Sequence, residues 1–362
     1  MTAYRPSRAH VIQRTAPDGA DMYHMSIALS VPTDVPAVVA FGGELTNSDS
    51  HANSYGKMLY RALAEENVSG VNVYSVVYDF ASRSPSLERA DLFHRAGRKL
   101  NLADHPVARA AQTARLDEMR AKEPVPNYVI DLYNVLLRPR LFDENGRVRP
   151  INTAVKNMRN IMFYAHSHGA AAITQLGDYM AGQLVAAGRT PEQIAKIQHN
   201  LLVIQHGPLT PLNPNRRRFN TISFASAEDT TMQNHANAFA RYMSENSADI
   251  VPAFFAGDRG NLFIVQHLRS TFTGEHDHRG ILRDERQAMM TSDDGGILFD
   301  AERNALTRGA KNMLTGRAAP SVRELVNGKT VDFDQMKRNG DALYNIMMVD
   351  LHQQNLARGN QK

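Results

Sequence analysis

The chain has 362 residues, enough for one large domain with insertions or two smaller ones, so length sets no limit on the core it can bury. Hydrophobic residues make up 43% and charged residues 22%, which excludes a mostly disordered or collagen-like chain, and 41 basic against 37 acidic residues is too even a balance to imply a nucleic-acid partner. Cysteine is absent, which removes disulfides, thiolate-ligated zinc or iron–sulfur sites and any thiol nucleophile.

The start, Met1 to Arg8, is positively charged, but no apolar stretch follows it. A Sec signal is therefore not expected, and the expected location is the cytoplasm, or outside the cell by a route that uses no such signal. Residues 1–21 read as a loosely held lead-in. Met22 to Ser30 alternates enough for a strand. Ala37 to Phe41 is a short continuous apolar run stopped by Gly42 and Gly43, as expected of a strand buried on both faces in a parallel sheet. Tyr55, Met58, Leu59 and Leu63 share one face of a helix, Gly70 ends that unit, and Val71 to Tyr78 is the next strand.

From about 81 to 155 the composition favours helices inserted between strands, the last of them over 151–159. Asn160 to Ala165 reads as a strand and Gly169 to Ala187 as a helix closed by Gly188. Leu201 to Gln205 and Phe219 to Ala225 are further strands, with Arg216 to Arg218 between them as a solvated basic loop. A helix near 232–243 and strands at Ile250 to Phe255 and Leu262 to Val265 complete the pattern. Strands alternating with helices predict an α/β fold, a mostly parallel sheet flanked by helices over residues 22–282. Residues 283–362 predict a helical C-terminal extension that packs on this body or covers its site. No apolar stretch approaches the ~20 residues of a membrane-spanning helix.

Chemistry concentrates in Ile161-Met-Phe-Tyr-Ala-His-Ser-His-Gly-Ala170. An apolar strand turns there within a few residues into an Ala-rich helix, with Ser167 at the bend. Such a turn lifts the hydroxyl out of the sheet and offers the following N–H, and the positive end of the helix dipole, to a developing oxyanion. Ala165 and Gly169 are small, as a bend so close to neighbouring backbone requires. Two His-x-His pairs, His166 with His168 and His276 with His278, also admit a metal-dependent hydrolase, although the Asp-His continuation of known strand-end metal motifs is missing. A catalytically inactive binding protein on the same fold is a third reading. His206, His235 and His267 have no partner at a recognisable spacing.

The segment Ala165-His-Ser-His-Gly169 resembles the nucleophile elbow of the α/β-hydrolase superfamily, Gly-x-Ser-x-Gly, with alanine for the first glycine; the wider resemblance runs from about residue 36 to 282. It implies a serine hydrolase acting on an ester, of lipase or carboxylesterase type, without a cofactor. Ser167 would be the nucleophile. The N–H of His168 and one from the Gly43–Glu44 region would form the oxyanion hole. The acid would be Asp249, in Asn246-Ser-Ala-Asp-Ile-Val-Pro252, which looks like the acid segment of fungal class 3 lipases, or Asp229, which follows the stronger strand. The base would be His278, or its neighbour His276. The partner implied is a small-molecule or lipid ester, and the sequence carries no sign of oligomeric state.

Overall fold

The computed structural model describes residues 9–15, 24–43, 46–78, 125–208, 218–226, 250–254, 260–265 and 300–318, together with Pro320 and Arg338. Among these, strands β1 (His10–Thr15), β2 (His24–Ala28), β3 (Ala37–Phe41), β4 (Asn72–Val77), β5 (Ile161–His166), β6 (Leu202–His206), β7 (Asn220–Ser226), β8 (Ile250–Phe254) and β9 (Gly260–Val265) form one sheet in the order β2-β1-β4-β3-β5-β6-β7-β9-β8. Strands β4, β3, β5, β6, β7 and β9 run parallel, β1 is antiparallel to β4, and β8 is antiparallel to β9. This is the α/β architecture expected from the alternation of strands and helices.

Side-chain alternation along the central strands supplies two cores. Ala37, Val39, Phe41, Ile161, Phe163, Ala165 and Val203 face α2 (Asn127–Leu132), α3 (Arg138–Leu141), α4 (Ile151–Arg159), α5 (His168–Ala186) and α6 (Pro191–Gln198); a π-helical segment, Tyr133–Leu137, joins α2 to α3. Val38, Ala40, Met162, Tyr164, Leu202 and Ile204 face α1 (Asp49–Glu65) and α7 (Asp300–Leu314). Each fully buried Val, Leu, Ile, Phe or Met contributes ~1.5–3 kcal/mol relative to exposure, so two cores of this composition hold the sheet from both sides. No helix among the described residues is long and apolar enough to cross a membrane.

Local sequence sets the ends of the helices. Ser48 caps α1 by accepting the His51 N–H, and Thr190 with Gln193 forms a reciprocal capping box at the start of α6, where Pro191 needs no donor. Gly188, at φ +79°, ends α5 in the left-handed conformation that glycine favours. Helix α7 lies in the expected C-terminal extension and packs on the sheet, at Gly309 so closely that a Cβ would fall 2.6 Å from Met162 Sδ and 2.8 Å from Leu202 Cδ2.

One segment departs from expectation. Residues 10–15, expected within a loose lead-in, form β1 and pair with both β2 and β4. Val11 and Ile12 point to opposite faces and both are buried, but two apolar residues between polar flanks are too few to register as alternation.

Buried Arg140 secures the approach to β3. Its guanidinium donates to the carbonyls of Val31 (3.1 Å), Leu136 (2.7 Å) and Pro32 (2.8 Å), and burial lowers its pKa to about 10. Of the expected basic loop, Arg218 is described: it is exposed and pairs with Asp178 of α5 at 2.8 Å.

Candidate active site

Strand β5 is buried along its whole length and gives way to α5 through a single residue, Ser167, with φ +52° and ψ −118°. A non-glycine residue there stores ~1–3 kcal/mol of backbone strain, which persists only where the surroundings impose it. Here the Ser167 N–H donates to the His206 carbonyl at 3.1 Å, and the Ser167 carbonyl accepts from the Ala170 N–H at 3.2 Å. Gly169 brings the first turn of α5 against the end of β3, where a Cβ would lie 2.3 Å from the Phe41 carbonyl oxygen and 2.8 Å from that of Gly42. The requirement for glycine two residues after the serine is therefore steric. Two residues before it, Ala165 is still in the strand, opposite Phe41 on one side and Gln205 on the other, and its methyl group joins the core. That accounts for alanine where the elbow pattern has glycine.

The turn after β3 meets Ser167 from the other side. The Tyr78 hydroxyl donates to the Gly42 carbonyl at 2.7 Å, and the Gly43 carbonyl accepts from Thr46 Oγ1 at 2.8 Å and from the Thr46 N–H at 3.1 Å. Complete burial pushes the Tyr78 phenol pKa well above its ordinary value, so it remains a neutral donor. Gly42 has no room for a side chain, since a Cβ would sit 2.1 Å from Thr46 Oγ1. Gly43 has room: a Cβ would lie 3.4 Å from His166 Nδ1, 3.6 Å from Ser167 Cβ and 3.7 Å from the Tyr55 hydroxyl. The Gly43 N–H donates to that hydroxyl at 3.3 Å, and the same oxygen is 2.9 Å from His166 Nδ1.

A second polar pair lies one strand further on. His166 and His206 are register partners at the ends of β5 and β6, their rings 5.6 Å apart, and His206 Nδ1 lies 3.0 Å from each carboxylate oxygen of Glu302 on α7. The Glu302 carboxyl group thus holds the His206 ring by its Nδ1 edge. Glu302 is 0% exposed. Gln205, next to His206 in β6, accepts from the Ser223 hydroxyl of β7 at Oε1, 3.0 Å away.

Of the residues singled out from sequence, Ser167, His168 and Gly43 come together at the carboxyl edge of the parallel strands. Glu44, Asp229, Asp249, His276 and His278 lie outside the described residues. The described strand ends nearest in sequence to the two aspartates are Ser226, which closes β7 two strands from β5, and Ile250, which opens the edge strand β8 opposite Val265, four strands from β5. Among the described residues no group of three or more His, Asp or Glu side chains is arranged to hold a metal. Sequence reasoning missed three residues of this cluster. Tyr55 reads as one more apolar position of α1, His206 as a histidine without a partner, and Glu302 passes unnoticed. The available signal was in α7, where Glu302 continues the buried stripe Ala305, Leu306, Gly309, Ala310 and Met313, a core position that a carboxylate takes only against a partner.

No family model matches this sequence, and no curated protein does. Among solved structures, a "putative carboxylesterase" from Lactobacillus plantarum WCFS1 is similar at 12% identity and a TM-score of 0.38, over 84% of this chain and 98% of that one.

Proposed function

We propose that this protein is a serine hydrolase that cleaves an ester through an acyl-enzyme on Ser167. The observation that carries the reading is the backbone at Ser167: a strained, positive-φ serine between a buried parallel strand and the first turn of a helix, with Gly169 stripped of its Cβ by the neighbouring strand end. A strained serine at a strand-to-helix turn, at a helix N-terminus, is the backbone arrangement of a nucleophile elbow. In the reaction Ser167 Oγ attacks the carbonyl carbon, His278 accepts the proton and returns it to the leaving alkoxide, and water then repeats the cycle on the acyl-enzyme. The His168 N–H and the Gly43–Glu44 region stabilise the oxyanion.

The two candidate acids differ in reach. An acid that acts through one imidazole must come within two hydrogen bonds of ~2.7–3.2 Å and one ring of the serine. At ~4.8 Å per strand, Ser226 is ~10 Å from β5 across the sheet and Ile250 ~19 Å. Asp229 follows Ser226 by three residues, whereas Asp249 is bonded directly to Ile250. Strand order therefore favours Asp229, against the local sequence likeness that favours Asp249. The substrate is a small-molecule or lipid ester.

The test is turnover of a p-nitrophenyl ester by the purified chain. Ser167→Ala should abolish it, His278→Asn should cost more than His276→Asn, and Asp229→Asn should lower kcat by up to ~10⁴-fold, more than Asp249→Asn. Turnover that survives Ser167→Ala, or that a chelator removes, contradicts the serine mechanism and favours the metal-dependent one.

A further inference from the structure

Helix α7 lies on β5 and β6 through a buried apolar stripe, Ala305, Leu306, Gly309, Ala310 and Met313. Gly309 sits against Met162 and Leu202, at the start of the two strands, whereas Glu302, two turns earlier, reaches His206 at the end of β6. The carboxylate that interrupts the stripe therefore falls at the carboxyl edge of the sheet, beside the turn that carries Ser167. A buried charged pair is often no more stabilising than well-packed apolar residues of similar volume, so stability alone does not account for a carboxylate at this place.

His206 meets Ser167 through its backbone. Its carbonyl accepts the Ser167 N–H at 3.1 Å, one residue beyond His166 and His206, the last register pair of β5 and β6. Strand β6 ends there: Gly207 has φ +48° and donates its N–H to the Phe224 carbonyl of β7 at 2.8 Å. The peptide that holds Ser167 is thus tied on one side to β7, and the ring of the same residue is tied to α7, with Nδ1 3.0 Å from each oxygen of the fully buried Glu302. A strained backbone persists only where such ties over-determine it, and Ser167, at φ +52°, is the residue they serve.

We propose that Glu302 is a positioning residue for the nucleophile: by anchoring the His206 ring it fixes the carbonyl that holds the Ser167 N–H, so that α7 sets the turn on which the hydroxyl is carried. The word nucleophile rests on the serine-hydrolase reading above, whereas the hold on the turn does not.

The experiment compares the full chain with the His206→Leu, Glu302→Leu double variant, which removes the pair and refills its space, by p-nitrophenyl butyrate hydrolysis and urea unfolding. The double variant should fold, and its kcat should fall by ~10²-fold, as a slightly misplaced reacting group can cost, with KM changed by less than about threefold. A pair that only fastens α7 to the sheet would give a double variant with wild-type kcat, which overturns the proposal. Glu302→Gln keeps a hydrogen-bonding group at His206 Nδ1 and should be at least about tenfold faster than the double variant; a glutamine variant as slow as the double one overturns it too. If the double variant does not fold, Glu302→Asp withdraws the carboxyl group by one methylene and should lower kcat by ~10-fold or more, and an unchanged kcat overturns the role. A second measurement is independent of catalysis. Ser167→Gly relieves the strain that Ser167→Ala keeps, so the gap between their urea midpoints reports how firmly the turn is held. That gap should shrink to less than about half in the double-variant or Glu302→Asp background, and an unchanged gap overturns the proposal. Ester turnover that persists in Ser167→Ala removes the serine-hydrolase reading and leaves the gap measurement untouched, so the two can fail separately.

Discussion

Ser167 holds a conformation that costs energy, and that cost can be measured. Replacing it with alanine keeps a Cβ at φ +52° and keeps the strain, whereas glycine relieves it. Ser167→Gly should therefore be more stable than Ser167→Ala by ~1 kcal/mol or more in denaturant unfolding, both being inactive. Equal stabilities would mean that the turn is not strained. The neighbouring glycines divide by what surrounds them. Gly169→Ala drives a methyl group against the backbone of Phe41 and should cost ~1–3 kcal/mol or more, while Gly43→Ala meets only ordinary contacts and should fold like the wild type. Its methyl group would nevertheless occupy the side of Gly43 shared by Ser167, His166 and Tyr55, and so should impair ester turnover. At this scale the sequence was legible for Ser167, because an apolar strand, a serine and an Ala-rich helix are contiguous. Tyr55 and Glu302 were illegible, because each meets its partner across more than ninety residues of chain and periodicity alone marks both as core positions.

Helix α7 joins the C-terminal part of the chain to the sheet through a stripe interrupted by one carboxylate. Breaking a buried pair by removing one partner leaves the other uncompensated and costs ~3–5 kcal/mol, whereas replacing both with apolar residues is often neutral. Glu302→Leu alone should thus destabilise the protein by about that amount, and His206→Leu with Glu302→Leu should recover most of the loss, as read from urea midpoints. A double variant no better than the single one would show that the pair does more than satisfy itself. Strands β3, β5 and β6 and helix α5 were readable because their apolar runs are continuous and their ends carry Gly42, Ser167 and Gly188. Strand β1 was not, since its burial comes from pairing between β2 and β4, a long-range fact that no local window contains.

Across the whole molecule, the α/β sheet brings the ends of β3, β5 and β6 to one edge, and Tyr78, just beyond β4, ties its neighbour's turn in place. In the unfolded chain a phenol ionises near pH ~10, but burial keeps Tyr78 protonated well above that. Over that range the unfolded chain loses a proton that the fold retains. The stability this group contributes is therefore complete below pH ~10 and falls above it by ~1.4 kcal/mol per pH unit. Tyr78→Phe should flatten the loss of stability between pH ~10 and ~12 relative to wild type, and an unchanged slope would assign the alkaline sensitivity elsewhere. Fold class was legible at this scale from the order of strands and helices, whereas the strand order that separates Asp229 from Asp249 was not, because it depends on which strands pair.

The most direct measurement is the reaction of the intact protein with a fluorophosphonate, followed by mass mapping of the adduct. A serine hydrolase acting through Ser167 should form one adduct per chain, on the peptide that contains Ser167, unaffected by chelator and absent from Ser167→Ala. Ester hydrolysis by a protein that forms no adduct at Ser167 would contradict that mechanism.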